Sequence, residues 1–162
     1  MKYFLLLIVS IFAFKSLNVK EVRTAYRAAG EDNTKVEAFY KLVSTVKKTD
    51  KAVFVAYKGA SIAMLAKGKK TIKEKKTGFI KGVELLEFAI KKEPNNIEAR
   101  FIRLSIQENT PKLLKYKGKI AEDKHFILSQ FKQIRDNHLK SHIKDYIMKS
   151  KGFTEEEKKK LQ

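Results

Sequence analysis

The chain has 162 residues and a formal net charge of +18, with 36 Lys and Arg against 18 Asp and Glu. Hydrophobic residues make up 43% of it, which excludes a disordered chain, and its seven Gly and two Pro are too few for a sandwich of many short strands. Because the chain has no Cys, disulfides are excluded and the fold must rest on core packing.

The N-terminal stretch "MKYFLLLIVSIFAFKS" places one Lys before an apolar run over residues 3–14. This run is shorter than the ~20 residues that a membrane span needs, and the pattern is typical of a secretory signal peptide. We therefore predict a signal peptide in residues 1–16, cleavage near Ser16 to Asn18, and export to the periplasm or the cell exterior. An uncleaved anchor and a buried N-terminal helix are the alternatives. The mature chain, residues 17–162, is expected to be one helical domain without a transmembrane segment.

The first two predicted helices form a hairpin. Val22, Tyr26 and Ala29 share a helical face, and Gly30 is a natural stop. Thr34 and Glu37 have the spacing of a capping box, which predicts the start of the second helix. The apolar stripe of that helix consists of Val36, Phe39, Tyr40, Val43 and Val46.

A helix with a stripe of small residues follows. Asp50 is a candidate N-cap, and Gly68 marks the end. The small residues recur at helical spacing, at Ala56, Gly59, Ala60 and Ala63. Such a stripe lets a second helix approach closely, and we expect Ala60 and Gly82 to lie where two helices cross.

A Lys-rich connector is predicted next, either as a loop or with a partial helical turn, before a helix over residues 79–93. The connector contains Lys67, Lys69, Lys70, Lys73, Lys75 and Lys76. Pro94 ends the helix because it lacks an N–H and disfavours a helical conformation at the residue before it. Asn95 and Glu98 have capping-box spacing, so Asn95 is the predicted N-cap of the next helix.

The C-terminal third predicts a loop over residues 110–118 and helices within 119–134 and 135–152. A last short helix begins at Thr154, whose side chain has a capping-box partner in Glu157, with Phe153 as a hydrophobic staple. No segment alternates with a period of two, so the predicted fold class is all-α.

The segment around Pro94 carries a resemblance to a known repeat family. Gly82, Leu86 and Ala89 before Pro94 resemble the second helix of a tetratricopeptide repeat, and "PNNIEARF" resembles the junction into the next repeat. The chain also matches itself at an offset of 44 residues, which places Ala38 on Gly82 and Tyr57 on Phe101. This offset exceeds the ~34-residue period of that family, and the extra residues fall in the Lys-rich connector.

The resemblance implies stacked antiparallel helical hairpins, about three of them, plus a C-terminal helix. It also implies that the first helices of successive hairpins line a binding groove. The segment "NNIEARFIRLSIQENTP" is, in addition, similar to a segment of small exported proteins of Bacteroidetes. That similarity supports export and a helical fold, and it implies no activity.

The sequence offers no catalytic constellation, and we predict a non-enzymatic protein without cofactor or metal. A Gly-rich phosphate loop is missing, and most acidic residues lie at helix caps or beside Lys. His138 and His142 are spaced i, i+4, as in some metal-binding helices, with Asp145 or His125 as a third ligand. The sequence between them lacks the Glu of a zinc-hydrolase motif, and two half-exposed polar residues are the favoured interpretation.

Arg100 and Arg103, one helical turn apart after Pro94, are candidate ligand-binding residues that could grip a carboxylate in the groove. The favoured alternative is that they bridge Glu93, Glu98 or Glu108 and hold the hairpins in register. Lys69, Lys70 and Lys73 of the connector form a candidate polyanion site, with a solvated loop as the alternative.

The leading functional hypothesis is an exported scaffold that binds a protein or peptide partner. The alternative is a binder of an acidic polymer or anionic surface that uses the Lys excess. A helical enzyme with an unrecognised site is a third hypothesis. Nucleic acid is a disfavoured partner, because Arg is scarce and Trp is absent.

Overall fold

The computed structural model describes residues 16–161, and the predicted signal peptide lies almost wholly outside them. Within this range the protein is all-α, as predicted, with eight helices and no strand. The helices are α1 (Val19–Glu31), α2 (Val36–Val43), α3 (Ala52–Ala66), α4 (Ile72–Lys92), α5 (Ile97–Glu108), α6 (Ile120–Gln130), α7 (Asn137–Lys149) and α8 (Glu155–Lys159). None of these helices is both long enough and apolar enough to cross a membrane.

Two helix starts differ from their predictions. Thr34 does not cap α2, because its amide and hydroxyl both donate to Asp32, which caps a 3₁₀ turn over Asn33–Lys35. Asp50 does not cap α3, because its carboxylate accepts from the amide of Lys47 and closes the preceding loop. In both cases the predicted capping side chain forms its hydrogen bonds within the preceding turn or loop and does not cap the helix.

The Lys-rich connector is mostly helix rather than loop. Thr71 is the N-cap of α4, and its side chain forms a full capping box with Glu74. The helix therefore begins at Ile72, about two turns before the predicted position. The second capping box, between Thr154 and Glu157, begins α8 as predicted.

The turn between α4 and α5 lies where Pro94 predicts it, but its cap is one residue later than predicted. The side-chain oxygen of Asn96, not Asn95, accepts from the amide of Ala99 at 3.0 Å. The side-chain amide of Asn96 also donates to Glu93 at 2.8 Å. The Asn96 side chain thus hydrogen-bonds to both sides of the turn, to α5 through Ala99 and to the end of α4 through Glu93.

The stripe of small residues in α3 is buried, as predicted, and α4 crosses it at Gly82. A Cβ atom on Gly82 would lie 2.5 Å from the backbone nitrogen of Ala63 and 2.6 Å from the carbonyl oxygen of Gly59. The two helices therefore approach backbone to backbone. They share the most extensive helix–helix interface in residues 16–161.

The remaining helices pack around this pair. α3 also contacts α1, α2 and α5, while α5 contacts α4 and α6, and α7 lies against α1. The side chain of Lys92, at the end of α4, donates to the carbonyls of residues 48–50 in the loop between α2 and α3. The α2–α3 loop and the α4–α5 turn therefore lie at the same end of the molecule.

We expect Gly82→Ala to lower the free energy of unfolding by about 1–3 kcal/mol, because the new Cβ meets backbone that cannot move aside. Gly30→Ala is the matched control: it lies in α1 with nothing within 4 Å of the added Cβ, so it should stabilise by about 0.5–1 kcal/mol through helix propensity. Denaturant unfolding of both variants measures the difference. A Gly82→Ala midpoint at or above that of the unmodified chain would contradict the close crossing.

We expect Asn96→Ala to destabilise the chain by about 0.5–2 kcal/mol, because it removes the N-cap of α5. Asn95→Ala, one position earlier and exposed, should change the free energy of unfolding by less than about 0.5 kcal/mol. If the two substitutions lowered the free energy of unfolding equally, Asn96 would not be the N-cap of α5.

Candidate functional site

Arg103, a predicted ligand-binding residue, is buried between helices. Its Nε and Nη2 donate to the two carboxylate oxygens of Asp123 on α6, each at 2.7 Å. Its Nη1 donates to Glu87 on α4 at 2.8 Å. All three guanidinium nitrogens of Arg103 are thus used in holding α4, α5 and α6 together.

Arg100 turns to the same side of α5. Its Nε donates to the carbonyl of Pro94 at 2.7 Å, and its Nη1 donates to Glu122 at 3.0 Å and Asp123 at 3.2 Å. The guanidinium also lies 4.3 Å from the centre of the Phe126 ring. The two arginines therefore make structural ion pairs, as the favoured alternative had it, but with partners other than the expected Glu93, Glu98 and Glu108.

A second buried ion pair was not predicted from the sequence. The Nε and Nη2 of Arg23 on α1 donate to both carboxylate oxygens of Glu98 on α5, at 2.8 and 2.9 Å. Tyr57 of α3 donates to the same carboxylate at 2.5 Å. Arg23 also contacts His138 at 2.8 Å and Asp136 at 3.2 Å, at the start of α7. This fork joins α1, α3, α5 and α7.

The sequence does contain a signal for this pair. Among 36 basic residues only five are Arg, at positions 23, 27, 100, 103 and 135, and Arg is the cation suited to bidentate pairing inside a protein. Arg23 also directly follows Val22 in the predicted apolar stripe of α1. Of these five, the first four make ion pairs within residues 16–161.

A cleft of about 750 Å³ opens between α1, α5 and α7. Its aromatic lining consists of Tyr26, Phe101 and Tyr146, one from each helix, and the side chain of Met64 of α3 also lines it. Phe101, Ser105 and Glu108 line it from α5 at the spacing i, i+4, i+7. This face of α5 is distinct from the one that carries Arg100 and Arg103, so the structure does not bring those arginines into the cleft.

Two buried polar atoms of the cleft residues have no hydrogen-bond partner. Glu108 accepts from Tyr146 at 2.5 Å and from Ser150 at 3.0 Å through Oε2, whereas its Oε1 is unpaired. The Nε2 of His142, whose residue is 8% exposed, is unpaired as well. A buried polar atom without a partner costs free energy, so these two atoms lower the stability of the fold.

The charges at the rim of the cleft are of both signs. Arg27 of α1 donates to Asp145 of α7 at 2.9 Å and lies 3.4 Å from Glu31. Lys149 lies 3.7 Å from the same Glu31. These exposed ion pairs connect α1 to α7 at the edge of the cleft.

The histidines occupy different environments. His138 contacts Arg23 through Nδ1, while His142 packs edge-on against Phe101 with ring centroids 5.1 Å apart. Burial, together with the positive charges of Arg23 and Arg27, lowers the pKa of His142 to about 4. Across residues 16–161 the structure contains no group of three or more His, Asp and Glu side chains arranged to hold a metal ion.

The predicted lysines lie away from the cleft walls. Lys69 and Lys70 are in the turn between α3 and α4, and Lys73 is in the first turn of α4. All three side chains are exposed. Whether they or the two arginines bind a ligand stays a prediction.

Lowering the pH should destabilise the fold through His142. A free His protonates near pH 6.5, whereas folded His142 does so near pH 4, so the unfolded chain binds more protons between these values. The free energy of unfolding should therefore fall by up to about 3 kcal/mol as the pH decreases from 6.5 to 4. His142→Gln should remove this part of the pH dependence, measured by urea unfolding across that range.

His125→Gln is the control, because His125 is exposed on α6. The part of the pH dependence assigned to His142 should remain in this variant. The same loss of slope in both variants would contradict the assignment to His142.

Comparison with known proteins adds no family to this description. No protein-family model matches the chain, and no curated protein or solved structure matches it either. The function must therefore be argued from the geometry of the cleft and the charges around it.

Proposed function

We propose that this chain is an exported, non-enzymatic helical-repeat protein that binds a peptide segment of a partner protein in the cleft between α1, α5 and α7. One observation carries the proposal: a cleft of about 750 Å³, lined by apolar and polar side chains, lies between α1, α5 and α7. The export part of the proposal rests on the apolar run in residues 3–14.

The arrangement of the helices supports a groove of the tetratricopeptide type. α3 contacts both α1 and α5, and the residues that line the cleft come mainly from α1, α5 and α7, with one residue each from α3 and α6. α1, α3 and α5 are the first helices of the hairpins α1–α2, α3–α4 and α5–α6. In a stack of hairpins this is the set of helices that would face a bound peptide.

The chemistry of the cleft suits a peptide. Its volume lies within the range of ligand pockets, about 300–1,000 Å³, and the partly exposed side chains of Met64, Ile120 and Tyr146 offer apolar contact. A peptide backbone presents N–H and C=O groups side by side, so it can pair with the exposed side-chain amides of Asn33 and Asn109. The rim, with charges of both signs, can accept polar side chains on either side of the inserted one.

Binding is proposed rather than catalysis because of the state of the titratable groups. At neutral pH the lowered pKa keeps His142 uncharged, and Arg27 is occupied by Asp145. Burial raises the pKa of Tyr26 to about 12, so its hydroxyl, which pairs with Ser105, keeps its proton. These groups suit hydrogen bonding to a ligand better than proton transfer.

Filling the cleft tests the proposal. Gly30 lines the cleft, and a Cβ built there has nothing within 4 Å, so we expect Gly30→Trp to obstruct the cleft, and its unfolding midpoint checks that the fold is kept. Partners would be captured from the native extracytoplasmic fraction, identified by mass spectrometry, and titrated directly as purified protein. We expect Gly30→Trp to weaken the binding of the main partner at least about tenfold, a loss of ~1.4 kcal/mol.

Gly118→Trp is the matched control. A Cβ there also has nothing within 4 Å, and Gly118 does not line the cleft. It should bind the partner as the unmodified chain does. Because the natural chain has no Trp, each variant also carries a single fluorophore. If Gly30→Trp folds and binds with unchanged affinity, the cleft is not the peptide site.

A further inference from the structure

We propose that one end of the molecule docks on an anionic phospholipid surface. This basic end consists of residues 67–77, which form the α3–α4 turn and the start of α4, and residues 111–119 of the loop between α5 and α6. The occupant is a lipid bilayer rather than a second protein, and the proposal does not rest on peptide binding, although Lys67 and Lys117 belong both to this end and to the cleft lining.

Several contacts place these segments at the same end. Lys67 of the first segment and Lys117 of the second both line the mouth of the cleft, together with Asn109 at the end of α5. Phe79 of α4 packs edge-on against Tyr116 of the loop, with ring centroids 5.7 Å apart. The α2–α3 loop, which Lys92 binds, lies at the opposite end of α4.

The first segment projects beyond its neighbour. Gly78 lies against Ala66, the last residue of α3, so the turns of α4 before Gly78 extend past the end of that helix. All residues from 67 to 77 are exposed. Six of them are Lys, and Glu74, which is engaged in the capping box with Thr71, is the one acid among them.

Each segment presents an aliphatic side chain to solvent. Ile72 is 80% exposed and Leu113 is 84% exposed, the two highest values among the large hydrophobic residues in the described part of the chain. Leu113 is the middle residue of a 3₁₀ turn over Lys112–Leu114. Lys115 follows this turn and has a left-handed backbone conformation, with a φ angle of 49°. Both side chains are therefore held out from the fold by regular structure.

The combination favours a lipid surface over a soluble polyanion. Lysines attract anionic headgroups without requiring the bidentate geometry that Arg supplies. Ile72 and Leu113 add exposed aliphatic side chains to this surface. Such side chains contribute to binding only where they leave water, which a bilayer allows and a soluble polyanion does not. Residues 67–77 also contain no aromatic side chain on which bases could stack.

Vesicle co-sedimentation of the full chain tests the proposal. The vesicles contain either phosphatidylcholine alone or phosphatidylcholine mixed with phosphatidylglycerol. The apolar run in residues 3–14 could enter either vesicle, so the test compares variants that all keep it. We expect Lys73→Gln/Lys75→Gln/Lys76→Gln to reduce partitioning onto the anionic vesicles roughly tenfold or more.

The control triple, Lys47→Gln/Lys51→Gln/Lys91→Gln, removes the same charge from exposed positions at the opposite end. It should change the partitioning by less than about twofold. Equal losses in the two triples would overturn the proposal, because the attraction would then come from the net charge alone.

Ile72→Ser/Leu113→Ser tests insertion. This double variant should lose anionic-vesicle binding at least about threefold and keep its affinity for soluble polyphosphate, which needs only charge. Ile80→Ser/Phe88→Ser, on the body of α4, should bind vesicles as the unmodified chain does, and unfolding midpoints check that both doubles fold. Suppose that Ile72→Ser/Leu113→Ser binds vesicles as the unmodified chain does, while Lys73→Gln/Lys75→Gln/Lys76→Gln binds neither vesicles nor polyphosphate. The basic end is then a polyanion surface and the lipid proposal is wrong.

Discussion

Two buried arginine–carboxylate forks join α5 to its neighbours: one ties it to α1, and the other ties it to α6. Arg23 binds Glu98 at one side of α5, and Arg103 binds Asp123 at another. A buried ion pair adds little net stability, yet removing one partner from it typically costs about 3–5 kcal/mol. An alternative packing of the helices that separates the two partners leaves a buried charge unpaired, so it is strongly destabilised. Because Glu98 lies on the same face of α5 as Phe101, Ser105 and Glu108, the Arg23 fork also fixes the position of the cleft lining.

The buried ion pairs of the protein use Arg rather than Lys. Arg23, Arg100 and Arg103 make these internal pairs, where a planar fork can satisfy two carboxylate oxygens at once, whereas Arg27 and Arg135 are exposed. The lysines of residues 67–77 are exposed and carry the excess positive charge. The net charge of the chain and its internal electrostatics are thus separate properties, since one could be altered by surface substitutions without disturbing the other.

The fold class and the positions of most helices could be predicted because each helix carries its own apolar period and its own end signals. The caps were less predictable, because Asn95 and Asn96 are equally able to cap and only the path of the turn decides between them. The start of α4 was missed because a run of Lys suggested a loop, although Lys and Glu favour helices and Thr71 with Glu74 forms a capping box. The cleft could not be predicted, since Tyr26, Phe101 and Tyr146 come from helices far apart in sequence.

The close crossing of α3 and α4 has a consequence for motion. At Gly59 and Gly82 the two backbones are in contact, so neither helix can rotate or slide without colliding with the other. Elements with so much buried contact are the last to open in native-state hydrogen exchange, whereas helices held by fewer contacts open at lower free energy. The α3–α4 pair is therefore the part of the described fold whose amides we expect to exchange most slowly.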